Sequence, residues 1–255
     1  MEHYSRPSVE MKILTFDSLP STNQYCELLD LNQYEEFTVI NAIEQTAGIG
    51  QRGNHWEAAP GKNLTFSIIL KPTFVPIADQ FQLTKTISLG ITDWLKTVVP
   101  KEHVVKIKWP NDIYVDQKKI CGTLTSAKIN GTQIASAISG IGININQTHF
   151  SGWIPNPISL VQLLKEESTS EDALQGVLEA IGKRYNQLKG NLDAPDNEYL
   201  ENLLHIQEKR QYIYHGRVIE AAIKGVNRFG HLELLCATGE TLCCQMKEIQ
   251  WVWQD

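Results

Sequence analysis

The stretch Lys108-Trp109-Pro110-Asn111-Asp112 lies between two apolar runs, with Val104, Val105 and Ile107 before it and Ile113, Tyr114 and Val115 after it. Runs of this kind on either side of a Pro-Asn-Asp turn read as two strands joined by a rigid reversal. The pattern puts Lys108 at the end of a buried strand, where one ammonium can be aimed at a bound anion. Lys106 stands two residues earlier, so a plainer reading makes both lysines neighbours on the outer face of an alternating strand. The stiff Trp-Pro turn favours a functional Lys108. Asn111 and Asp112 either close the turn or help to organise a magnesium-bound phosphate.

The elements around this turn predict an α+β protein. Strands are expected at Lys12–Phe16, Phe37–Ala42, Asn63–Leu70, Ile120–Lys128 and Gln133–Ile145, with the turn signal Asn130-Gly131 ahead of the last. Ser21, Thr22 and Asn23 supply helix-capping side chains ahead of Tyr25, Leu28 and Leu29. Helical spacing covers 77–98, 158–165, 171–189 and 197–204. From Tyr212 onward short strands recur between Gly-containing turns, at Arg217–Val226, His231–Cys236 and Thr241–Gln245. This change places a boundary near 205–211 and divides the chain into 1–205 and a small all-β unit, 206–255. Several strand pairs are joined by short turns, so a doubly wound parallel sheet fits less well.

Composition narrows the function classes. A net charge of −6 argues against a general nucleic-acid-binding surface. No apolar stretch is long enough to span a bilayer, and the first residues lack the apolar segment of a signal peptide. Five cysteines, Cys26, Cys121, Cys236, Cys243 and Cys244, read as reduced thiols packed in strands, which fits a cytoplasmic protein. The seven histidines form no metal-binding pair, so no protein-ligated metal is expected.

Three glycine-bearing segments are candidates for close approach to a ligand. Gly48, Gly50 and Gly53 stand in a loop that matches neither a Walker loop nor a dinucleotide fingerprint followed by a helix. Its backbone N–H groups could hold phosphate oxygens, or it could be a mobile surface loop. Arg52 is either a fixed cation of that loop or a solvated charge. Trp56 either stacks on a purine or anchors the loop. Gly122, and then Gly140 and Gly142 ahead of Asn144, mark places inside strands where a ligand or another backbone comes near.

Taken in order, Ser21-Thr22-Asn23, the 44–56 segment EQTAGIGQRGNHW, KWPNDIYV at 108–115, KKICGTL at 118–124 and GIGININ at 140–146 resemble the biotin protein ligases. The resemblance is good over residues 12–146 and looser beyond. It implies a mixed-sheet catalytic domain with a small C-terminal SH3-like β-barrel. It also implies a two-step reaction. Biotin carboxylate attacks the α-phosphate of MgATP to give biotinyl-5′-AMP, which then acylates a lysine of a biotin carboxyl carrier domain.

The resemblance also implies roles. Ser21, Thr22, Asn23 and Gln45 would hold the ureido head of biotin, with Gly48, Gly50, Gln51, Gly122, Leu124, Gly140 and Gly142 along its pocket. Arg52, Trp56, Lys108, Asn111 and Asn144 would serve the nucleotide, with Lys108 and Arg52 catalytic. Family loops are commonly richer in arginine; here Ile49 and Gln51 stand where basic residues are usual. Slower adenylation or a leakier intermediate is therefore expected. The first expected strand begins at Lys12, which leaves no room for the DNA-binding domain of repressor-type relatives. Neither a monomer nor a homodimer is excluded. Rival readings are a lipoate or octanoate protein ligase of the same fold, or a non-catalytic biotin-binding module.

Overall fold

The computed structural model describes residues 11–246 and 248–253, with the side chain of Arg52 outside the described set. Strand β1 (Ile13–Leu19) runs into α1 (Thr22–Leu28), whose N-cap Ser21 accepts from the Gln24 backbone N–H at 3.5 Å. Then come β2 (Thr38–Gln45), β3 (Leu64–Leu70), α2 (Phe81–Val98) and the β4 (Val105–Lys108) and β5 (Asp112–Val115) hairpin. Long strands β6 (Lys118–Asn130) and β7 (Gln133–Ile143) follow, then helices α3 (Leu160–Leu164), α4 (Ser170–Gly190) and α5 (Asp196–Glu201). The last segment carries β8 (Lys209–Tyr214), β9 (Arg217–Val226), β10 (Leu232–Cys236), β11 (Thr241–Cys244) and β12 (Ile249–Trp251).

Two sheets result. The larger has the order β1-β2-β3-β7-β6-β5-β4; β1 and β2 pair in parallel and every other pairing is antiparallel. The sheet is therefore mixed, as expected. The smaller is antiparallel, β11-β10-β9-β8-β12, consistent with an SH3-like module, and among the described residues its pairings leave β11 and β12 at the ends without closing a barrel. Two of its strands differ from expectation. β8 starts at Lys209, ahead of Tyr212, and β12 falls in a segment too short to show a pattern. The helix expected over 197–204 stops at Glu201, because the Ile107 and Leu204 N–H groups bond across to the Asn202 and Ile107 carbonyls.

The pleat sorts the side chains of the large sheet. On β3, Leu64, Phe66, Ile68 and Leu70 enter the main apolar core, while Thr65, Ser67 and Ile69 face the other way. β4 and β5 send Val105, Ile107, Ile113 and Val115 into the same core, and β7 sends Ala137, Ile141 and Ile143. Helices α2 and α4 cover that core face. On the opposite face, α1 packs over β2, β3 and β7 above a second, smaller cluster containing Cys26, Ile40, Ile69 and Ile138. The main core continues without interruption into the small sheet through Tyr212, Ile223, Leu232, Leu234 and Ile249.

Helices α2 and α4 meet closely at Gly90, where a Cβ would lie 2.7 Å from Ile181 Cα. In an open helix Gly→Ala gains up to about 1 kcal/mol from propensity. Here the added methyl meets backbone. Gly90→Ala is therefore expected to destabilise the protein by about 1–3 kcal/mol, read as a lower urea midpoint; a higher midpoint would refute the close contact.

Candidate active site

The polar parity of the large sheet floors a cavity of about 350 Å³. Gly122 and Leu124 of β6, Gly140 and Gly142 of β7, and Lys108 and Asp112 of the β4–β5 hairpin line it, roofed on one side by the loop at 49–56. At one end the start of α1 brings Ser21, Thr22 and Asn23, all buried, against Gln45 of β2. Gln45 Oε1 accepts from the Thr22 backbone N–H at 2.8 Å and lies 3.1 Å from its hydroxyl. Asn23 donates to the Leu124 carbonyl at 3.0 Å, and Ser67 Oγ lies 2.6 Å from Asn23 Oδ1 and 2.8 Å from Thr22 Oγ1. Ser67 thus fixes the orientation of this polar cluster from below. Its place in a wholly buried strand run hid it from sequence reasoning.

The glycines of the floor are matters of space. A Cβ on Gly140 would fall 2.3 Å from Asn23 Oδ1, and one on Gly142 would fall 2.3 Å from the Trp56 indole. Trp56 is held by its backbone N–H donating to the Gly48 carbonyl at 2.9 Å, and Gly48 itself is not among the residues that line the cavity. The loop is a small hairpin, with Ile49 bridging His55 and the Gly50 N–H donating to the Asn54 carbonyl at 2.7 Å. Gln51 spans from this loop to the turn: its Nε2 donates to Asn111 Oδ1 at 2.7 Å, and Asn111 Nδ2 donates to the Thr123 carbonyl at 2.9 Å. Asn111 is buried in that clasp and lies outside the cavity lining.

At the other end of the cavity Lys108 stands opposite Asp112 in the β4–β5 register. The Asp112 carboxylate pairs with Lys119 at 2.8 Å. Simple alternation from Gly122 would have sent Lys119 to the other face. A register shift between β5 and β6 breaks the alternation, burying Ile120 and Cys121 together and turning Lys119 into the cavity beside Trp56, whose ring centre is 5.8 Å from Nζ. Burial drives the Cys121 thiol pKa upward, so this cysteine stays protonated.

Asn144 is not brought to the cavity. Its side chain donates to the Ile158 carbonyl at 3.0 Å and reaches the Lys119 carbonyl at 3.5 Å, so it braces the backbone that carries Lys119. The turn itself is pinned from behind: Tyr199 donates to the Pro110 carbonyl at 2.6 Å, and Trp109 Nε1 donates to the Gly230 carbonyl at 3.0 Å. The small sheet closes the remaining side with Met246, Ile249, Gln250, Trp251 and Trp253, a contribution the sequence reading had not assigned. The paired tryptophans near the chain's end were the available signal. Among the described residues no group of three or more His, Cys, Asp or Glu side chains is placed to hold a metal ion.

Residues 15–144 match the Biotin/lipoate A/B protein ligase family, over half of the chain. The chain belongs to that family. It is 31% identical over 176 residues to the bifunctional ligase/repressor BirA of Bacillus subtilis, covering 68% of this chain and 53% of that protein. It is 32% identical over 106 residues to the biotin–[acetyl-CoA-carboxylase] ligase of Paracoccus denitrificans, covering 42% of this chain and 43% of that one. The chain thus spans about half the length of these relatives. The fold matches the biotin protein ligase of Aquifex aeolicus solved with biotin and ATP, with a TM-score of 0.78 at 22% identity over 94% of this chain and 97% of that chain.

The close approach of Gly142 to its indole makes Trp56 a sensitive reporter of the cavity floor. Gly142→Ala is expected to displace its indole into solvent. The emission of the six tryptophans should shift to the red, and the shift should vanish when Trp56→Phe is added. An unchanged spectrum would mean that the ring does not rest on Gly142.

Proposed function

We propose that this chain is an ATP-dependent biotin protein ligase, forming biotinyl-5′-AMP and passing biotin to a lysine of a biotin carboxyl carrier domain. The observation that carries the reading is the polarity of the cavity along its length. One end holds the buried hydrogen-bonding side chains Ser21, Thr22 and Asn23 beside half-buried Gln45; the middle is floored by Gly122, Gly140 and Gly142; the far end holds Lys108. A ureido ring needs partners for its carbonyl and N–H groups when it leaves water, and the polar end offers both donors and acceptors. An aliphatic or dithiolane acyl group would leave the remaining hydrogen-bonding capacity of those groups unused, so the reading favours biotin over lipoate or octanoate.

The mechanism follows from charge. Biotin's carboxylate and the triphosphate repel one another, and the lysines lining the cavity would offset that repulsion where they meet. The Lys108 ammonium would stabilise charge building on the α-phosphate as the carboxylate oxygen bonds to phosphorus and pyrophosphate leaves. Lys119, with Asp112 holding its direction, would be the second cation. Magnesium would arrive on the triphosphate and neutralise it. The carboxylate lining the cavity, Asp112, is engaged by Lys119, so this donor set suits an ion carried by the nucleotide rather than caged by the protein. In the second step the carrier's ε-amine attacks the mixed anhydride and AMP departs. The 49–56 loop, clasped through Gln51 and Asn111, would keep water from the anhydride meanwhile.

Gln51 therefore serves as a latch, which gives a role to a residue standing where a basic one is usual. The catalytic roles of Lys108 and Arg52, the contacts of Gly48 and Gly50 with ligand, and the division into 1–205 and 206–255 belong to the same proposal. The separate strand orders of the two sheets support the division. Cytoplasmic placement belongs with it too.

Two measurements decide. Pyrophosphate release should depend on both biotin and ATP, and Lys108→Ala should slow it by about 100-fold, corresponding to roughly 3 kcal/mol of barrier. Lipoate-dependent release without biotin-dependent release would reject the assignment. Gln51→Ala should raise escape of the adenylate into solution several-fold in a single-turnover experiment while leaving adenylation within about threefold. Unchanged escape would remove the latch.

A further inference from the structure

Strand β12 brings an aromatic ring to the proposed catalytic lysine. Trp251 ends β12, and Lys108 Nζ lies 5.2 Å from the centre of its ring. Trp253 stacks on Trp251 at 6.2 Å with an interplanar angle of 24°, and on Tyr114 at 5.5 Å with an angle of 15°. Tyr114 is buried on β5, on the face of the hairpin that also carries Lys108, since Lys108 pairs with Asp112 and Tyr114 follows two residues on. The result is one continuous stack of Tyr114, Trp253, Trp251 and the Lys108 ammonium. Both of its ends stand on the large sheet, and its two middle members come from the C-terminal segment. Tyr212, fully buried, meets Trp251 edge-on at 5.5 Å and 74°, which limits rotation of the ring.

A lysine side chain is long and flexible, and an ammonium at the mouth of a cavity samples many rotamers unless something holds it. An indole face is the strongest aromatic partner for such a cation. We propose that Trp251 is a positioning residue that holds the Lys108 ammonium toward the cavity, with Trp253 and Tyr114 bracing the ring. This rests on the adenylation reading given above. It makes the C-terminal sheet a working part of the first reaction step, because any movement of β12 away from the hairpin removes an aromatic surface that helps to order Lys108. The carrier-acylation step, which uses an adenylate already formed, depends on this contact much less.

The test combines kinetics with a direct view of the lysine. Trp251→Leu is expected to lower the adenylation rate constant about tenfold, with the KM for biotin within about twofold. Trp251→Phe, which keeps an aromatic face, should stay within about threefold. In a Lys108→Ala background Trp251→Leu should cost almost nothing more, since it acts through the missing ammonium. NMR of the protein with ¹³C-labelled lysine gives the independent reading. The Lys108 side-chain signals, assigned by their loss in Lys108→Arg, should be shifted upfield by the ring in the wild type and return toward ordinary values in Trp251→Leu. If Trp251→Leu does not fold, Trp253→Leu, which unbraces the ring without removing it, should lower adenylation about threefold and reduce the shift. The proposal is overturned by an equal loss in the Lys108→Ala background, by an unaffected Trp251→Leu enzyme, or by unshifted Lys108 signals in the wild type. A wild-type protein that releases no pyrophosphate from biotin and ATP would instead refute the ligase reading, while the lysine spectra would still decide whether Trp251 orders Lys108.

Discussion

Alternation along the pleated strands is the constraint on which the rest of this structure depends. Each strand of the large sheet sends one set of side chains into a dense apolar core under α2 and α4 and the other set to the opposite face. On β3 that division falls between Phe66, Ile68 and Leu70 on one side and Thr65 and Ser67 on the other. On β6 and β7 the outward set is rich in glycine, so the same sheet that is tightly filled on one face is hollow on the other. A single rule of geometry therefore supplies both the stability of the domain and the floor of its cavity. Substituting the floor glycines would fill the hollow with the Asn23 and Trp56 side chains already pressed against them.

The one place where alternation fails is chemically the most pointed. A bulge between β5 and β6 lets Ile120 and Cys121 both reach the core, and the residue before them, Lys119, turns into the cavity. Bulges re-aim side chains in this way near functional sites. Asp112, whose residue type suits either a turn or a phosphate site, is thereby paired with Lys119. Asn144 is drawn into the same arrangement from behind. Its amide spans the carbonyls of Lys119 and Ile158, so the asparagine of the GIGININ segment steadies a strand end.

The small sheet is joined to the large one at several points around the Trp-Pro turn. Arg228 pairs with Asp79 at the head of α2, at 2.5 Å and 2.7 Å. The Gly230 carbonyl receives the Trp109 N–H, and the tryptophans of the C-terminal segment lie along the β4–β5 hairpin. These contacts share one apolar core with the large sheet. A change in composition near residue 205 was visible in the chain, yet that change says nothing about where the later strands come to rest.

By itself the sequence determined the local elements and most of the members of the site. Apolar β-like runs between turn signals located most of the strands, Ser21 announced the start of α1, and the Trp-Pro-Asn-Asp turn placed Lys108 at a strand end. Glycines inside strands marked the hollow face, and Gln45, Gln51 and Trp56 stand in a segment whose pattern is recognisable from sequence. Tertiary structure decided what those residues face. Lys119 entered the cavity through a bulge, which depends on how two strands pair and leaves no trace in either strand alone. Asn111 and Asn144 turned inward to bond backbone carbonyls, because buried amides must find partners and the nearest ones belonged to Thr123 and Ile158. Trp251 reached Lys108 across more than a hundred residues of chain, a proximity created only when β12 pairs with β8 and the two sheets close on a common core.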